Sequence, residues 1–548
     1  IAMDPNNDNI IYASTYQRRR HFGILVAGGP EGGIFKSEDK GKSWRKLSEG
    51  LPGGDIGRIG LAISPQKSNV VYALITAKEN TKGFYRSEDY GETWKKMSNY
   101  QVVDSQYYVE IFPDPHQFDK IYSVDMRSYV TEDGGKTFVR IPENKKHVDS
   151  HDVIFDPNDP DYIMISCDGG IYESFDRMKT WRFIDNLPII QLYRVGIDNQ
   201  KPFYNVYGGT QDNNSLGGPS QTINKRGIIN SDWIVTNGGD GFESATDPED
   251  PNIVYAQAQY GWLVRFNKQT GEKTPIQPQP RYKESAYRWN WDAPLLTSKH
   301  AKKTIYFAAN KVFKSEDRGG SWQVISEDLS RQIDRNTLPI MDRYWGPEAI
   351  ALHKSTSIYG NIVTLREHPN NSGELWAGTD DGLVWKTSDD GKTWSSIKNF
   401  TELPKTKVGS LSLPLVYVQD IVLSSHQKDL VYVVFNNHKN GDFKPYIYKS
   451  TNGGKSWESA ASDLPNRGTV YSLVEDPINP DLLFAGTEFG LFFTLNGGEN
   501  WAQLKGGLPT IAVKDIAIQE RENDLVLATF GRGFYVLDNY SPLRELNY

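Results

Sequence analysis

The chain has 548 residues, with 61 lysines and arginines against 69 aspartates and glutamates, for a net charge of −8. That balance argues against a nucleic-acid binder, whose affinity would rest on a basic face, and no apolar run approaches the roughly 18 residues of a membrane-spanning helix. A single cysteine, Cys167, excludes a disulfide framework, while 14 Trp and 30 Tyr supply rings that pack sheets or stack on sugars.

The chain opens on IAMDPNNDNIIYAS, without an initiator Met or a signal peptide. It reads as a processed or truncated chain that begins inside a repeat, so localisation is not taken from an address tag. The opening phrase, an apolar run, a turn and a second apolar run, returns as LAISPQKSNVVYAL, IFPDPHQFDKIYS, IFDPNDPDYIMIS, ATDPEDPNIVYAQ, LREHPNNSGELWAG and LVEDPINPDLLFAG, with weaker copies between them. A second phrase alternates with it: SEDKGKSW (37–44), SEDYGETW (87–94), TEDGGKTF (131–138), SFDRMKTW (174–181), SEDRGGSW (315–322), TSDDGKTW (387–394), STNGGKSW (450–457) and TLNGGENW (494–501). In this octapeptide the Ser/Thr hydroxyl and the Asp carboxylate bond backbone amides of a tight turn, Gly takes the positive φ, and Trp closes the next strand on a neighbouring sheet.

Two strands from each phrase give four per unit of about 50 residues, the size of a β-propeller blade. The fold class is therefore all-β, a β-propeller of four-stranded blades in eleven units. Residues 1–186 are expected to hold four blades, and 187–548 seven, enough for a complete seven-bladed propeller. The innermost strand of each blade is placed before the Asp-Pro-type turn. Its channel-facing residues, four before the turn, are then Gly60, Glu110, Asp152, Arg194, Glu243, Thr364, Asp420, Ser472 and Asp515. A polar channel end accounts for them without catalysis.

Candidate site residues gather near such strand entries. In KHVDSHDVIFDP, His147, Asp149 and His151 alternate, and an extended chain would put all three on one face, roughly 6–7 Å apart. A hydrogen-bonded polar cluster is the preferred reading; a metal site would need further ligands such as Asp168 and Asp212. Gly-rich turns hold Asp168, Gln211, Asp212, Asn213 and Asp240, and RWNWDAP adds Arg288, Trp289 and Trp291, types that stack on and hydrogen-bond sugars or peptides. The long connection from Trp322 to Gly360 has the length of a lid or binding loop, with Tyr344 and Trp345 as its contact residues. Cys167, among strand residues, is expected to be buried rather than nucleophilic.

With HVDSH, YGGTQDNNSLGGPS, GGDGFE, RWNWDAP, SEDLS and FGRGFYVLDNYSPLREL in view, the chain resembles the bacterial Asp-box (BNR-repeat) proteins related to the sortilin propeller, often labelled glycosyl hydrolases. The resemblance spans essentially the whole chain. It implies an exported, periplasmic or cell-surface protein with two tandem seven-bladed propellers, the first lacking its upstream blades here. It departs from true sortilins in having no cysteine-rich module. More distantly the chain is similar to two-propeller xyloglucanases, which set two catalytic aspartates across the cleft between propellers; Asp240 matches one in its Gly-flanked setting and Asp168 is a weak candidate for the other. Two readings follow: a protein binding a polysaccharide or peptide at the channel mouth and the groove between propellers, or a glycoside hydrolase with Asp240 as acid or base. Neither calls for a cofactor. Membership of a larger surface complex is compatible with both.

Overall fold

The computed structural model describes residues 1–546. Strands and short 3-10 turns make up its regular structure, and no α-helix occurs among the described residues. Ten four-stranded antiparallel sheets and one three-stranded sheet follow one another along the chain, each with its strands in sequence order, and two two-stranded ribbons interrupt them. This is a succession of propeller blades. The first strand of each blade is the inner one, and among the last seven blades, from the strand Leu192–Ile197 on, each inner strand touches the next around the whole ring.

Eight of the eleven blades are pinned at two turns that the repeats encode; those that start with the strands Leu192–Ile197, Ser244–Thr246 and Val513–Gln519 have no octapeptide. After the inner strand, the turn's aspartate accepts backbone N–H groups two or three residues on: Asp114 from His116 and Gln117 at 2.8 and 3.2 Å, and Asp156 from Asn158 and Asp159 at 2.7 and 3.2 Å. At the outer hairpin, Ser37 Oγ donates to Asp39 at 2.8 Å and accepts from the Gly41 N–H at 2.8 Å. Asp39 in turn accepts from the N–H and hydroxyl of Ser43 at 2.8 and 2.6 Å. The same set recurs around Asp89, Asp176, Asp317 and Asp389.

Two consecutive residues of this turn are left-handed, Lys40 at φ 61° and Gly41 at φ 81°. Glycine was expected at the second alone. The copies written Gly-Gly supply a residue free of the Cβ penalty at both. Tryptophan then ties blade to blade: the indole N–H of Trp181, Trp322, Trp394 and Trp501 donates to Pro142, Ile276, Ile325 and Ala460 of the preceding blade at 2.9, 2.7, 2.8 and 2.9 Å.

Contacts divide the chain into two units. The first comprises Ile1–Leu187 together with Pro339–Ser355, a late excursion of the chain. It holds the four blades up to the strand Arg182–Ile184 and the ribbon Arg19–His21 with Ile24–Val26. Apolar layers fill the spaces between its blades, among them Tyr12, Ile59, Val71 and Trp94 in one and Tyr122, Val153, Ile163 and Met178 in another.

The second unit comprises Pro188–Leu338 and Thr356–Tyr548. Its seven blades, six of them four-stranded, close into a ring. The first of them packs Leu192, Val195, Tyr204 and Val206 on Val526 and Ala528 of the last, and the Tyr204 hydroxyl donates to Asp524 at 2.9 Å.

The box carboxylates generate a prediction. Hydrogen bonds, the Ser43 hydroxyl first, pull Asp39 down to about 2 from 3.8. A carboxylate depressed in the folded state adds stability above its unfolded value that is lost as pH falls through the folded one. Thermal melts should therefore show Asp39→Asn below the parent by a constant margin above pH 3.8, a margin that shrinks as pH falls toward 2.

Candidate functional site

Five of the seven inner strands of the second unit share one irregularity, while Ser244–Thr246 and Leu295–Thr297 pair in regular register. Pairing slips between Leu192 and Arg194, Ile362 and Thr364, Val418 and Asp420, Val470 and Ser472, and Val513 and Asp515. Each slip is a β-bulge, which leaves one extra residue unpaired and re-aims its side chain. The residue beyond each bulge is the channel-facing position expected from the sequence. The extra residues are Tyr193, Val363, Gln419, Tyr471 and Lys514, a series that the repeat spacing alone did not expose.

Arg194, Asp420 and Asp515, which stand beyond bulges, form a charged axis together with Asp292, Arg366 and Glu243. Arg194 Nε meets Asp292 at 2.8 Å and Arg366 meets Asp420 at 2.7 Å. The acids also take up backbone donors: Asp515 accepts from the Val195 N–H of the neighbouring blade at 3.0 Å, and Asp420 from Ile421 and Leu473 at 2.9 and 3.2 Å. Asp515 further accepts from the Ser472 hydroxyl at 3.1 Å. Arg366 keeps 36% of its side chain accessible deep in the ring, as a residue lining a channel does. Burial pushes Glu243 up to about 7, against the pull of Arg194 and with the help of Asp515.

Antiparallel topology puts the N-terminal ends of the inner strands on the same side as the loops that follow the second strands. On that side of the second unit the predicted residues come together. Tyr193 donates to Gln211 at 2.9 Å and packs at 4.5 Å on Phe242, the two rings tilted by 38°. Trp291 meets Phe242 and Tyr260 edge to face at 6.1 and 5.0 Å. Asp240, buried, accepts the Gln259 amide at 2.9 Å and bridges Asn214. Asp212 is left-handed at φ 61°, and Asn213 turns its amide onto the Gln211 carbonyl at 3.0 Å.

Across the same rim Lys514 Nζ lies 3.5 Å from the centre of the Tyr471 ring, whose hydroxyl donates to Glu488. Burial pushes this lysine down to about 8. His438 faces Tyr471 at 6.5 Å and bonds Asn436, which donates to Gln419 at 3.0 Å. Burial, with Lys439 and Lys514 nearby, drives His438 down to about 4.

Other predicted residues hold the scaffold. Arg288 donates to Asp328, Ser330 and the Gly360 carbonyl at 2.7, 2.8 and 3.1 Å. Trp289 packs on Phe307 and Phe313 at 4.9 and 5.6 Å. SEDLS acts here through Asp328 and Ser330, and the N–H and guanidinium of Arg331, which follows it, engage Asp381, whose neighbour Asp380 accepts from Gly360 and Asn361. Burial raises both of these carboxyls, a pair that the sequence reading did not single out.

The first unit carries the HVDSH cluster. The stretch is not extended throughout, because the strand starts at Ser150 and Asp149 is left-handed at φ 62°. The three residues therefore do not share one strand face. His151 is the extra residue of a bulge between Ser150 and Asp152, and its Nε2 meets Asp168 at 2.8 Å. It stacks on Tyr108 at 5.1 Å, while the Tyr108 hydroxyl donates to Asp149 at 2.7 Å and His147 Nδ1 meets the Val148 carbonyl at 2.8 Å. The hydrogen bond to Asp168 raises the His151 pKa against its burial.

No three His, Cys, Asp or Glu side chains among the described residues are grouped to hold a metal ion. Asp168 belongs to the first unit and Asp240 to the second. Cys167 is half-buried, its thiol 3.4 Å from the Gly170 carbonyl. Trp345 is buried, with its indole N–H on the Ile340 carbonyl at 2.9 Å, and Tyr344 is exposed.

Residues 82–189 match the family model of sortilin, neurotensin receptor 3. Among solved structures the chain is similar to a GH74 xyloglucanase from Xanthomonas campestris, at 14% identity over 98% of this chain and 90% of that one, with a TM-score of 0.27. It is also similar to the extracellular domain assigned to a one-component system of B. thetaiotaomicron, at 12% identity over 95% and 69%, with a TM-score of 0.41. A third is a GH74 enzyme from Niastella koreensis, at 13% identity over 96% and 91%, with a TM-score of 0.25. No curated protein matches.

The axis makes its own prediction. An acid whose folded pKa is raised holds its proton longer in the folded state than in the unfolded one, so stability falls as pH rises between the two values. For Glu243 that window runs from 4.5 to about 7. Urea midpoints should fall between pH 5 and 8 in the parent, and Glu243→Gln should remove part of that fall.

Proposed function

We propose that the chain is an exported bacterial propeller protein that binds a glycan or peptide ligand at the channel mouth of its second unit. The observation that carries this reading is the series of bulge residues Tyr193, Gln419, Tyr471 and Lys514, set at one level around the rim. Rings, amides and one ammonium group on a closed scaffold are the equipment of a binding site. Lys514 lies over the ring of Tyr471, which is itself buried, and Phe530, 5.9 Å from that cation, is 48% exposed. Export is what the Asp-box resemblance implies.

Hydrolysis would ask more of the carboxylates. A glycosidase acid or base must be free to exchange a proton with substrate and must face a partner at roughly 5–9.5 Å. Asp240 is committed to Gln259 and Asp168 to His151, the arrangement of fixed acceptors. Asp420 and Asp515 accept backbone N–H groups, and Asp292 accepts Arg194.

The test is a glycan and peptide array probed with the purified chain, with mass spectrometry of the glycan supernatants alongside. Binding to an array member is expected without released oligosaccharides. Tyr471→Ala and Lys514→Ala should each weaken it about tenfold, the loss of one charge-assisted or stacking contact. Products that appear with the parent and vanish in Asp240→Ala would replace binding with hydrolysis.

A further inference from the structure

A cavity of about 500 Å³ lies in the first unit, apart from the HVDSH cluster. Its volume falls in the range of small-molecule sites. The end of the strand Val71–Ala77 and the turn after it form one wall, residues 101–105 another, and the excursion Pro339–Ser355 the third. That excursion is firmly seated. The Ala27 N–H donates to Ile350 at 3.0 Å, the His353 N–H to Leu25 at 2.9 Å, and the Ser355 hydroxyl to Asp104 at 3.0 Å. Gly28 is required beneath it, since a Cβ there would stand 2.7 Å from Ile350 Cδ1. Met341, Asp342, Ala351, His353 and Ser355 all hold φ between 51° and 58°, a left-handed conformation that non-glycine residues keep only where their surroundings impose it.

The lining has unspent polar capacity. Thr76, 7% exposed, has a buried hydroxyl with no hydrogen-bond partner among the described residues. An orphaned buried hydroxyl points to a group that the structure does not contain. Gln101 spends its amide N–H groups on the Ile75 and Tyr100 carbonyls at 3.0 and 2.9 Å, which leaves its oxygen to accept. Ser105 adds a hydroxyl. Of the charges, Lys82 is closed on Glu79 at 2.9 Å, and Lys354 reaches only the Val103 carbonyl at 3.1 Å. Lys78 and Glu348 have no ion-pair partner within 4.0 Å among the described residues. Two unneutralised lysines against one glutamate favour an anion, and hydroxyl and amide groups around them favour a polyhydroxylated one.

We infer that this cavity binds a short acidic saccharide, with its carboxylate on Lys78 and Lys354 and its hydroxyl groups on Thr76, Ser105, Gln101 and Glu348. The site is separate from the mouth of the second unit and does not depend on that reading. The excursion supplies part of the ligand contact and all of the third wall.

Calorimetric titration of the purified chain with trigalacturonate, with neutral maltotriose and diglycine as controls, tests this. Saturable binding of trigalacturonate in about the millimolar range or tighter is expected, weakened by added salt. Lys78→Met and Lys354→Met should each weaken it about tenfold. Thr76→Val should also weaken it, while Tyr471→Ala and Asp240→Ala leave it unchanged. Lys78 is exposed, so its variant should keep the parent melting temperature and separate lost contact from lost fold. No heat up to about 10 mM ligand, equal binding of maltotriose, preference for diglycine, or full affinity in Lys78→Met would each overturn the proposal. Loss in Tyr471→Ala alone would overturn it too, by moving the ligand to the other unit.

Discussion

The bulge at the entry of the inner strand is the constraint on which the rest of the second unit depends. Seven inner strands converge on one axis, and five of them carry a bulge near their entry. A bulge removes one residue from the ladder, and it frees backbone N–H groups that water reaches poorly. The carboxylates beyond the bulges answer that need. Asp515 takes the N–H of Val195 from the next blade, and Asp420 takes those of Ile421 and Leu473. A buried N–H left without an acceptor would cost about 1–3 kcal/mol, so acids at this position stabilise whether or not a ligand ever meets them. Their charge is then balanced by Arg194 and Arg366.

The same irregularity supplies the display. Each extra residue is released from pairing; Tyr193, Gln419 and Lys514 are half-buried, whereas Val363 and Tyr471 are buried. Tyr193, Gln419, Tyr471 and Lys514 differ in chemistry while the residues beyond them repeat as polar and charged. On the strands Tyr417–Leu423 and Val513–Gln519 an acid that accepts backbone N–H groups thus sits beside a residue released from pairing. In the first unit His151 occupies the same position of its own strand, which is why it meets Asp168 rather than the residues that alternate with it in sequence.

The long connection after Trp322 illustrates a second division of labour. Its first part is stapled to the second unit by Arg288, Asp328 and the Arg331–Asp381 contact. Its later part, Pro339–Ser355, completes a cavity of the first unit. Tyr344 and Trp345, the aromatic residues that marked it as a contact loop, do not line that cavity; Thr76, Lys78 and Lys354 do.

Where the octapeptide occurs, in eight of the eleven blades, the repeat by itself determined the blade, because it contains both partners of its own turn. Ser37, Asp39, Gly41 and Ser43 find one another within seven residues, so the local sequence is enough. The inner strands and their polar channel positions were legible for the same reason, since the Asp-type turn that follows each one is a local signal. The bulges were not, because a slip in register is decided by how closely neighbouring blades approach the axis. Nor were the partners of Asp240, Arg288 and His151, or the cavity beneath Ile350, whose walls come from positions some 250 residues apart and meet only in the folded chain.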